Sequence, residues 1–223
     1  MRIAVIIPAR NEADNIERTL NNLQSWRDRG HQVILVDGDS TDATVEKAGP
    51  LTDRVIETDA GRALQMNIGA EQADADILLF LHADTQIDTD ADQLIIDAVS
   101  SGEGWGRFNV GFDTDALFFS VIAFFMNLRS CLSSIATGDQ AIFVDQALFN
   151  QVGRYPSQPL MEDVQLSINL RRQQRACCLA SKVITSARRW KQKGILRTIV
   201  LMWMLRFAYF AGIPAERLKR WYD

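Results

Sequence analysis

The sequence predicts an α/β fold with a mostly parallel central sheet flanked by helices, and three observations carry that prediction. Short apolar runs alternate with helix-patterned stretches through the first eighty residues. The runs are continuous rather than alternating, as strands buried on both faces read. A chain of 223 residues, 47% of them hydrophobic, is long enough to bury one sizeable core of this kind.

Ile3–Ile7 is the first strand, closed by Pro8. Asn11 is a candidate N-cap for a helix that places Ile16, Leu20, Leu23 and Trp26 near one face. Val33–Val36 is the second strand and ends at Asp37; Ser40 is positioned to cap a short helix through about Ala48. Arg54–Glu57 reads as a third strand. Gly61 opens a helix carrying Ala63, Met66 and Ala70, and Ile77–Leu81 is the most apolar strand, followed at once by His82-Ala83-Asp84-Thr85. The second half is less regular. It offers strands at Arg107–Phe112, Ala141–Val144 and Ala176–Ile184, and helices at Leu117–Leu128 and Glu162–Gln174. No repeat and no Gly-, Ser- or Pro-rich linker divides the chain. The expected organisation is a catalytic domain over residues 1–190 and a basic, apolar, helical extension over 191–223.

The formal charge of −4 hides an asymmetry. Residues 1–187 carry 15 Lys and Arg against 26 Asp and Glu, whereas residues 188–223 carry 9 against 2. The acidic body excludes general nucleic-acid binding. The basic tail suits a phosphate-bearing ligand or an anionic membrane surface. The first residues do not read as a signal peptide, so a cytoplasmic location is the default expectation. The cysteines agree with it. Cys177 and Cys178 are adjacent and point to opposite faces of a strand, Cys131 stands alone, and there is no CxxC, so free thiols are expected.

Ligands of open α/β sheets bind at the carboxyl ends of the strands. Here those ends carry Pro8-Ala9-Arg10-Asn11-Glu12, Asp37-Gly38-Asp39-Ser40 and His82-Ala83-Asp84. Two phosphate-binding motifs are missing. There is no GxxxxGK[ST] loop, and the only GxG-type run, at residues 102–106, joins no strand to a helix. Acidic groups facing a diphosphate imply a bridging cation, and carboxylate oxygens suit Mg²⁺ or Mn²⁺.

Six segments, IIPARNE (6–12), VDGDSTDAT (36–44), GRALQMNIGA (61–70), FLHADT (80–85), GDQAIFV (138–144) and PLMEDVQLS (159–167), resemble the ordered motifs of family 2 glycosyltransferases of the GT-A fold. The wording is most similar to a small bacterial subgroup often found beside radical-SAM and selenoprotein-related genes. The resemblance spans residues 1–190. It implies inverting transfer of a sugar from a nucleoside diphosphate, typically UDP, to an acceptor hydroxyl, a lipid-linked acceptor being one candidate. Pro8, Ala9, Arg10 and Glu12 match the nucleotide-binding end of the first strand. Asp37 matches the acid that reads the base, with Asp39 beside it, although an Asx-turn acid is the structural alternative. Gly61-Arg62 matches the element that approaches the diphosphate.

Asp84 matches the last acid of the family's DxD motif and is the expected metal ligand. The first acid of that motif is replaced by His82, which implies either an imidazole ligand better suited to Mn²⁺ or a contact to the nucleotide. Glu162-Asp163 matches the family's acidic pair, with Asp163 as catalytic base and Glu162 as support. Asp139 is expected near the sugar or acceptor, and Arg189, in Arg188-Arg189-Trp190, near the diphosphate. The QxxRW form of processive relatives is absent, so polymer synthesis is not supported.

The apolar stretch Ile195–Ile213 contains Arg197 and Arg206, each costing about 2.5–3.5 kcal/mol at a membrane centre. A spanning helix is therefore not expected. Nine positions apart, the two arginines fall on opposite helix faces. Either the helix breaks, or one arginine turns inward towards the site. The tail is expected to pack on the domain, to touch the inner face of the cell membrane together with Leu117–Met126, or to form a homodimer. Two competing functions remain. A sugar nucleotidyltransferase would need a Gly-rich loop after the first strand. A non-catalytic nucleotide-sugar binder is favoured only by His82.

Overall fold

The computed structural model describes residues 1–188 and 194–222. Among the described residues, eight strands form a single sheet: β1 (Ile3–Ala9), β2 (Gln32–Gly38), β3 (Arg54–Thr58), β4 (Ile77–Phe80), β5 (Thr85–Gln86), β6 (Trp105–Phe112), β7 (Ile142–Asp145) and β8 (Cys177–Thr185). Their order is β3-β2-β1-β4-β7-β6-β8-β5. The first four run parallel, β7 is antiparallel to both β4 and β6, β8 is parallel to β6, and β5 is antiparallel to β8. The mostly parallel sheet expected from the sequence is present, with two reversed strands in its less regular half.

The described helices are α1 (Ile16–Asn22), α2 (Gln24–Asp28), α3 (Thr44–Ala48), α4 (Arg62–Glu71), α5 (Ala91–Ser100), α6 (Leu117–Ser133), α7 (Gln146–Gln151), α8 (Glu162–Arg171), α9 (Ile195–Phe210) and α10 (Ala215–Tyr222). They cover both faces of the sheet. Ile3, Val5 and Ile7 of β1 pack with Ile16, Trp26 and Ile95 on one side. Ala4 and Ile6 pack with Met66, Phe149 and Leu166 on the other. Alternate residues of one strand thus enter two cores, which is why the run is apolar throughout. Gly69 lets α4 lie close against β1, since a Cβ there would sit 2.5 Å from Ile6 Cγ2.

Three local expectations are corrected. Asn11 does not cap the first helix, which begins at Ile16 with Asn15 in the cap position. Asn11 instead joins two strand ends: its N–H donates to Ser40 Oγ at 2.8 Å, and its side-chain oxygen accepts from Thr41 N at 2.9 Å. Ser40 does not cap a helix either, because α3 begins at Thr44 and Ser40 is held by Asp37. The cysteines are not all free. Cys131 of α6 and Cys178 of β8 form a disulfide, with Cα atoms 5.9 Å apart, and Cys177 is left as a thiol. Adjacent cysteines do face opposite ways, and one of those ways is towards α6, a neighbour the spacing of the cysteines does not reveal.

The C-terminal helices belong to the fold. Leu205 and Ala208 of α9 and Leu218 of α10 form a small core with Ile135, Met161 and Val164. Helix α9 runs unbroken, so the two arginines diverge: Arg197 is exposed and Arg206 is half-buried. Among the described residues, no helix is long and apolar enough to cross a membrane.

Candidate active site

The parallel strands deliver their carboxyl ends to one edge, where a pocket is lined by Pro8, Arg62, His82, Gly138, Glu162 and Asp163, with Met66, Phe80, Leu81 and Tyr155 as its apolar wall. Five positions singled out in the sequence therefore meet, although up to 155 residues of chain separate them.

Asp163 stands in the first turn of α8. It accepts from Gly138 N at 2.8 Å through Oδ2 and from Val164 N at 2.7 Å through Oδ1. Both of its oxygens are thus engaged by backbone N–H donors at the start of the helix. Glu162, next to it, is 4% exposed, and burial together with the Asp163 charge pushes its carboxyl above the usual range. Arg62 opposes that shift: its Nη1 lies 3.6 Å from Glu162 Oε1. Burial works against the charge on Arg62, but the carboxylate of Glu162 and the neighbouring Tyr222 and Asp163 outweigh it, so the guanidinium is held above its ordinary value. Half of the Arg62 side-chain surface remains open to solvent, so it can still receive a ligand.

Backbone strain marks the same edge. Non-glycine residues with positive φ include Asn11 at 54°, Asp39 at 62°, Ala141 at 47° and Met161 at 64°. Asn and Asp tolerate this conformation; Ala and Met adopt it at a cost that the surrounding packing must offset. Ala141 closes the turn at Gly138–Gln140, and Met161 immediately precedes Glu162-Asp163.

On the nucleotide side, Asp37 is 2% exposed and accepts from the N–H and the hydroxyl of Ser40. The Asx-turn alternative is therefore realised, and each of its oxygens retains a second lone pair. Gln65, which the sequence reading passed over, donates from Nε2 to Ala9 O and Val36 O, both at 2.8 Å. It ties the ends of β1 and β2 together. Its signal was a polar residue inside the apolar stripe of Ala63, Met66 and Ala70. Ala9 is buried, whereas Arg10 and Asp39 are exposed and outside the pocket.

Asp84 and Glu12 lie near each other, and neither is among the residues that line the pocket. Burial raises the pKa of both, and Asp84 adds to the shift on Glu12. Arg188 stands beside them, with Nη2 3.7 Å from Glu12 Oε2. Arg189 lies outside the described residues. His82 is held down to about 3 by burial and by Arg62, so its ring is neutral; its Nε2 is buried without a partner among the described residues. Asp139 accepts from Thr137 Oγ1, and burial pushes its carboxyl up.

Among the described residues, no three His, Cys, Asp or Glu side chains gather into a metal cage. The residues present nevertheless fit a shared cation. Asp84 and Glu12 offer hard oxygen donors, and both are carboxylates whose charge is penalised by burial, a penalty that a cation relieves. The remaining ligands would have to come from the bound molecule.

Comparison with known proteins gives a consistent picture. The family model described as glycosyl transferase family 2 matches residues 4–127. Over 109 residues the chain is 28% identical to a dolichol-phosphate mannosyltransferase of Pyrococcus furiosus, covering 46% of this chain and 31% of that protein. Over 101 residues it is 31% identical to a poly-beta-1,6-N-acetyl-D-glucosamine synthase of Staphylococcus aureus, covering 43% and 24%. The chain thus spans about a third or less of the length of these relatives. Among solved structures, a mannosyltransferase of Pyrobaculum calidifontis in complex with GDP-Man and Mn²⁺ superposes with a TM-score of 0.68 at 18% identity, over 93% of this chain and 61% of that one. The S. aureus protein TarS, residues 1–349, gives 0.65 at 18% identity, over 84% and 61%. The fold is GT-A.

Proposed function

The chain belongs to glycosyl transferase family 2, and from that premise we propose that it transfers a sugar from a nucleoside diphosphate donor, UDP-linked, to an acceptor hydroxyl by a single inverting displacement. The observation that carries this reading is Asp163, held by two backbone N–H groups in one pocket with Arg62 and the end of β1. Residues 1–190 are the catalytic domain in this reading and 191–223 its extension. We also place the chain in the bacterial subgroup named above, on the wording of its six motifs.

Asp163 takes the proton of the acceptor hydroxyl as that oxygen attacks the anomeric carbon, opposite the leaving diphosphate. Its two backbone hydrogen bonds fix the orientation of its carboxyl group in the pocket. Arg62, aligned by Glu162, meets charge developing on the diphosphate, with Arg188, paired to Glu12, as a second cation. Asp37 receives the base or ribose, with Pro8 and Ala9 forming the floor. Asp84 and Glu12 would hold Mn²⁺ or Mg²⁺ jointly with the donor, and the ion would supply positive charge to the leaving diphosphate. His82, neutral and with Nε2 set against Gly138, contacts the donor. Asp139 stands on the acceptor side.

We place the protein peripherally at a membrane, on the cytoplasmic side, where anionic lipids attract basic segments such as residues 188–223. The test is calorimetric titration of UDP and GDP with and without Mn²⁺, followed by transfer assays on Asp163→Asn. The variant is expected to lose about 10²–10⁴-fold in transfer while nucleotide affinity is unchanged. Failure of the wild-type chain to bind any nucleoside diphosphate, or full activity of the variant, overturns the reading.

A further inference from the structure

Two arginines near Asp139 have no part in handling the donor. Arg129, near the end of α6, donates from Nη1 to Ile135 O over a long 3.4 Å, while its Nε and Nη2 are buried without a partner among the described residues. Arg206 of α9 lies close enough for its charge to act on Arg129 and on Asp139. A buried guanidinium with unfilled donors is costly, and a second cation beside it makes it more so. Asp139 offsets only part of this, since its carboxyl already accepts from Thr137 and is itself disfavoured by burial. An anion between the two forks would fill the idle donors and relieve the repulsion.

The helices that carry these arginines also carry the protein's exposed apolar surface. On α6, Leu117, Val121, Phe124 and Phe125 are exposed; on α9, Val200, Trp203 and Phe207 are, the last at 79%. Both sets recur at three- and four-residue spacing, so each forms a stripe. The helices share a seam through Phe119 and Ile122 on one and Ile195 and Ile199 on the other. A folded monomer seldom leaves so much contiguous apolar surface uncovered. The segment around it is basic, with 9 Lys and Arg against 2 acids in residues 188–223.

We propose that Arg129 and Arg206 form an acceptor-side anion site, which takes the phosphate-type headgroup of an amphiphile whose alkyl chain lies on the α6–α9 face. The assignment rests on the proposed function, because it places the headgroup near Asp139 on the acceptor side and leaves the attacking hydroxyl to Asp163. The chemistry required is an anion joined to a long apolar chain, and the geometry supplies both halves on the same two helices.

The experiment titrates dodecyl phosphate, dodecanol and inorganic phosphate, all below micelle formation, into the full chain. Dodecyl phosphate is expected to bind at least tenfold more tightly than either of the others. Arg206→Gln, half-buried and so less exposed to folding failure than Arg129→Gln, should reduce dodecyl phosphate to the affinity of dodecanol. Phe124→Ser with Phe125→Ser should reduce it to that of inorganic phosphate. Equal binding of dodecanol would remove the anion site, equal binding of inorganic phosphate would remove the chain, and an unchanged Arg206→Gln would remove the assigned residue. A nucleoside diphosphate titrated into the same wild-type sample separates the two claims. If the nucleotide binds and the amphiphile shows no preference, this inference fails while the proposed function stands; if the nucleotide does not bind, the proposed function fails.

Discussion

Gly138→Ala tests the tightest contact in the candidate site. A Cβ at position 138 would lie 2.5 Å from His82 Nε2 and 3.0 Å from its Cε1. Comfortable separation of such atoms begins at about 3.5 Å, so something must move by roughly 1 Å. The imidazole is the freer partner, since its Nε2 holds no hydrogen bond, and its way out is into the pocket. If the turn moves instead, Gly138 N–H withdraws from Asp163 Oδ2, now 2.8 Å away. Either displacement reaches a reacting group, and a misplacement of about 1 Å costs on the order of 10²-fold in rate, or about 2.7 kcal/mol of transition-state stabilisation. Overpacking should also lower folding stability by about 1–3 kcal/mol. Gly49→Ala is the control: its added Cβ meets nothing within 4 Å and its φ is −48°. The assay is kcat/KM for transfer from a nucleotide sugar, with urea denaturation of the same samples. If Gly138→Ala keeps more than about a third of wild-type kcat/KM and unfolds with Gly49→Ala, the crowding argument is wrong.

Three further outcomes follow from the same geometry. Burial raises the pKa of Asp84 above its ordinary 3.8, so the gain in nucleotide affinity from Mn²⁺ should fade as pH drops through that raised value, earlier than for an exposed aspartate. Calorimetry between about pH 4.5 and 7 reads it, and Asp84→Ala should abolish both the gain and its pH dependence; a gain that survives the substitution rejects Asp84 as the ligand. Gln65→Leu leaves the carbonyls of Ala9 and Val36 without their donor, at about 1–3 kcal/mol for a buried unsatisfied group; unchanged stability in urea would show that another donor replaces it. The Cys131–Cys178 bond closes a separation of 47 residues, for which the chain-entropy model gives up to about 4 kcal/mol. Thiol titration of unfolded, unreduced protein should find one thiol, rising to three after reduction, and Cys131→Ser should lower the urea midpoint; three thiols without reductant would show the pair unbonded.

The legibility of the fold differed between its halves. β1 to β4 were readable because a strand buried on both faces must be apolar throughout, and that pattern is local. β5 and α5 went unread, since a two-residue strand has no periodicity and α5 begins within the acidic run that follows Asp84. The reversal of β7 was also invisible, because direction in a sheet is settled by which neighbours pair. The helix starts at Asn11 and Ser40 were misplaced for one reason. Polar residues suited to capping were instead used to bind two strand ends to each other.

The candidate site shows the same division. Its residue types were legible in order along the chain: an acid after β2, an arginine opening α4, an acid after β4 and an acidic pair opening α8. Each sits where a strand ends or a helix begins, and such boundaries leave local marks. Tertiary structure alone decided what those residues touch. It set Gly138 N–H against Asp163, Arg62 against Glu162, and His82 against a glycine that leaves room for nothing larger. It also turned Arg206 inward towards Arg129 and Asp139 while leaving Arg197 in solvent. The sequence by itself determined which elements form and which chemistry their ends carry, because those depend on short-range pattern. Partnership and burial depend on segments 25 to 100 residues apart meeting in the folded chain, and only the tertiary structure brings them there.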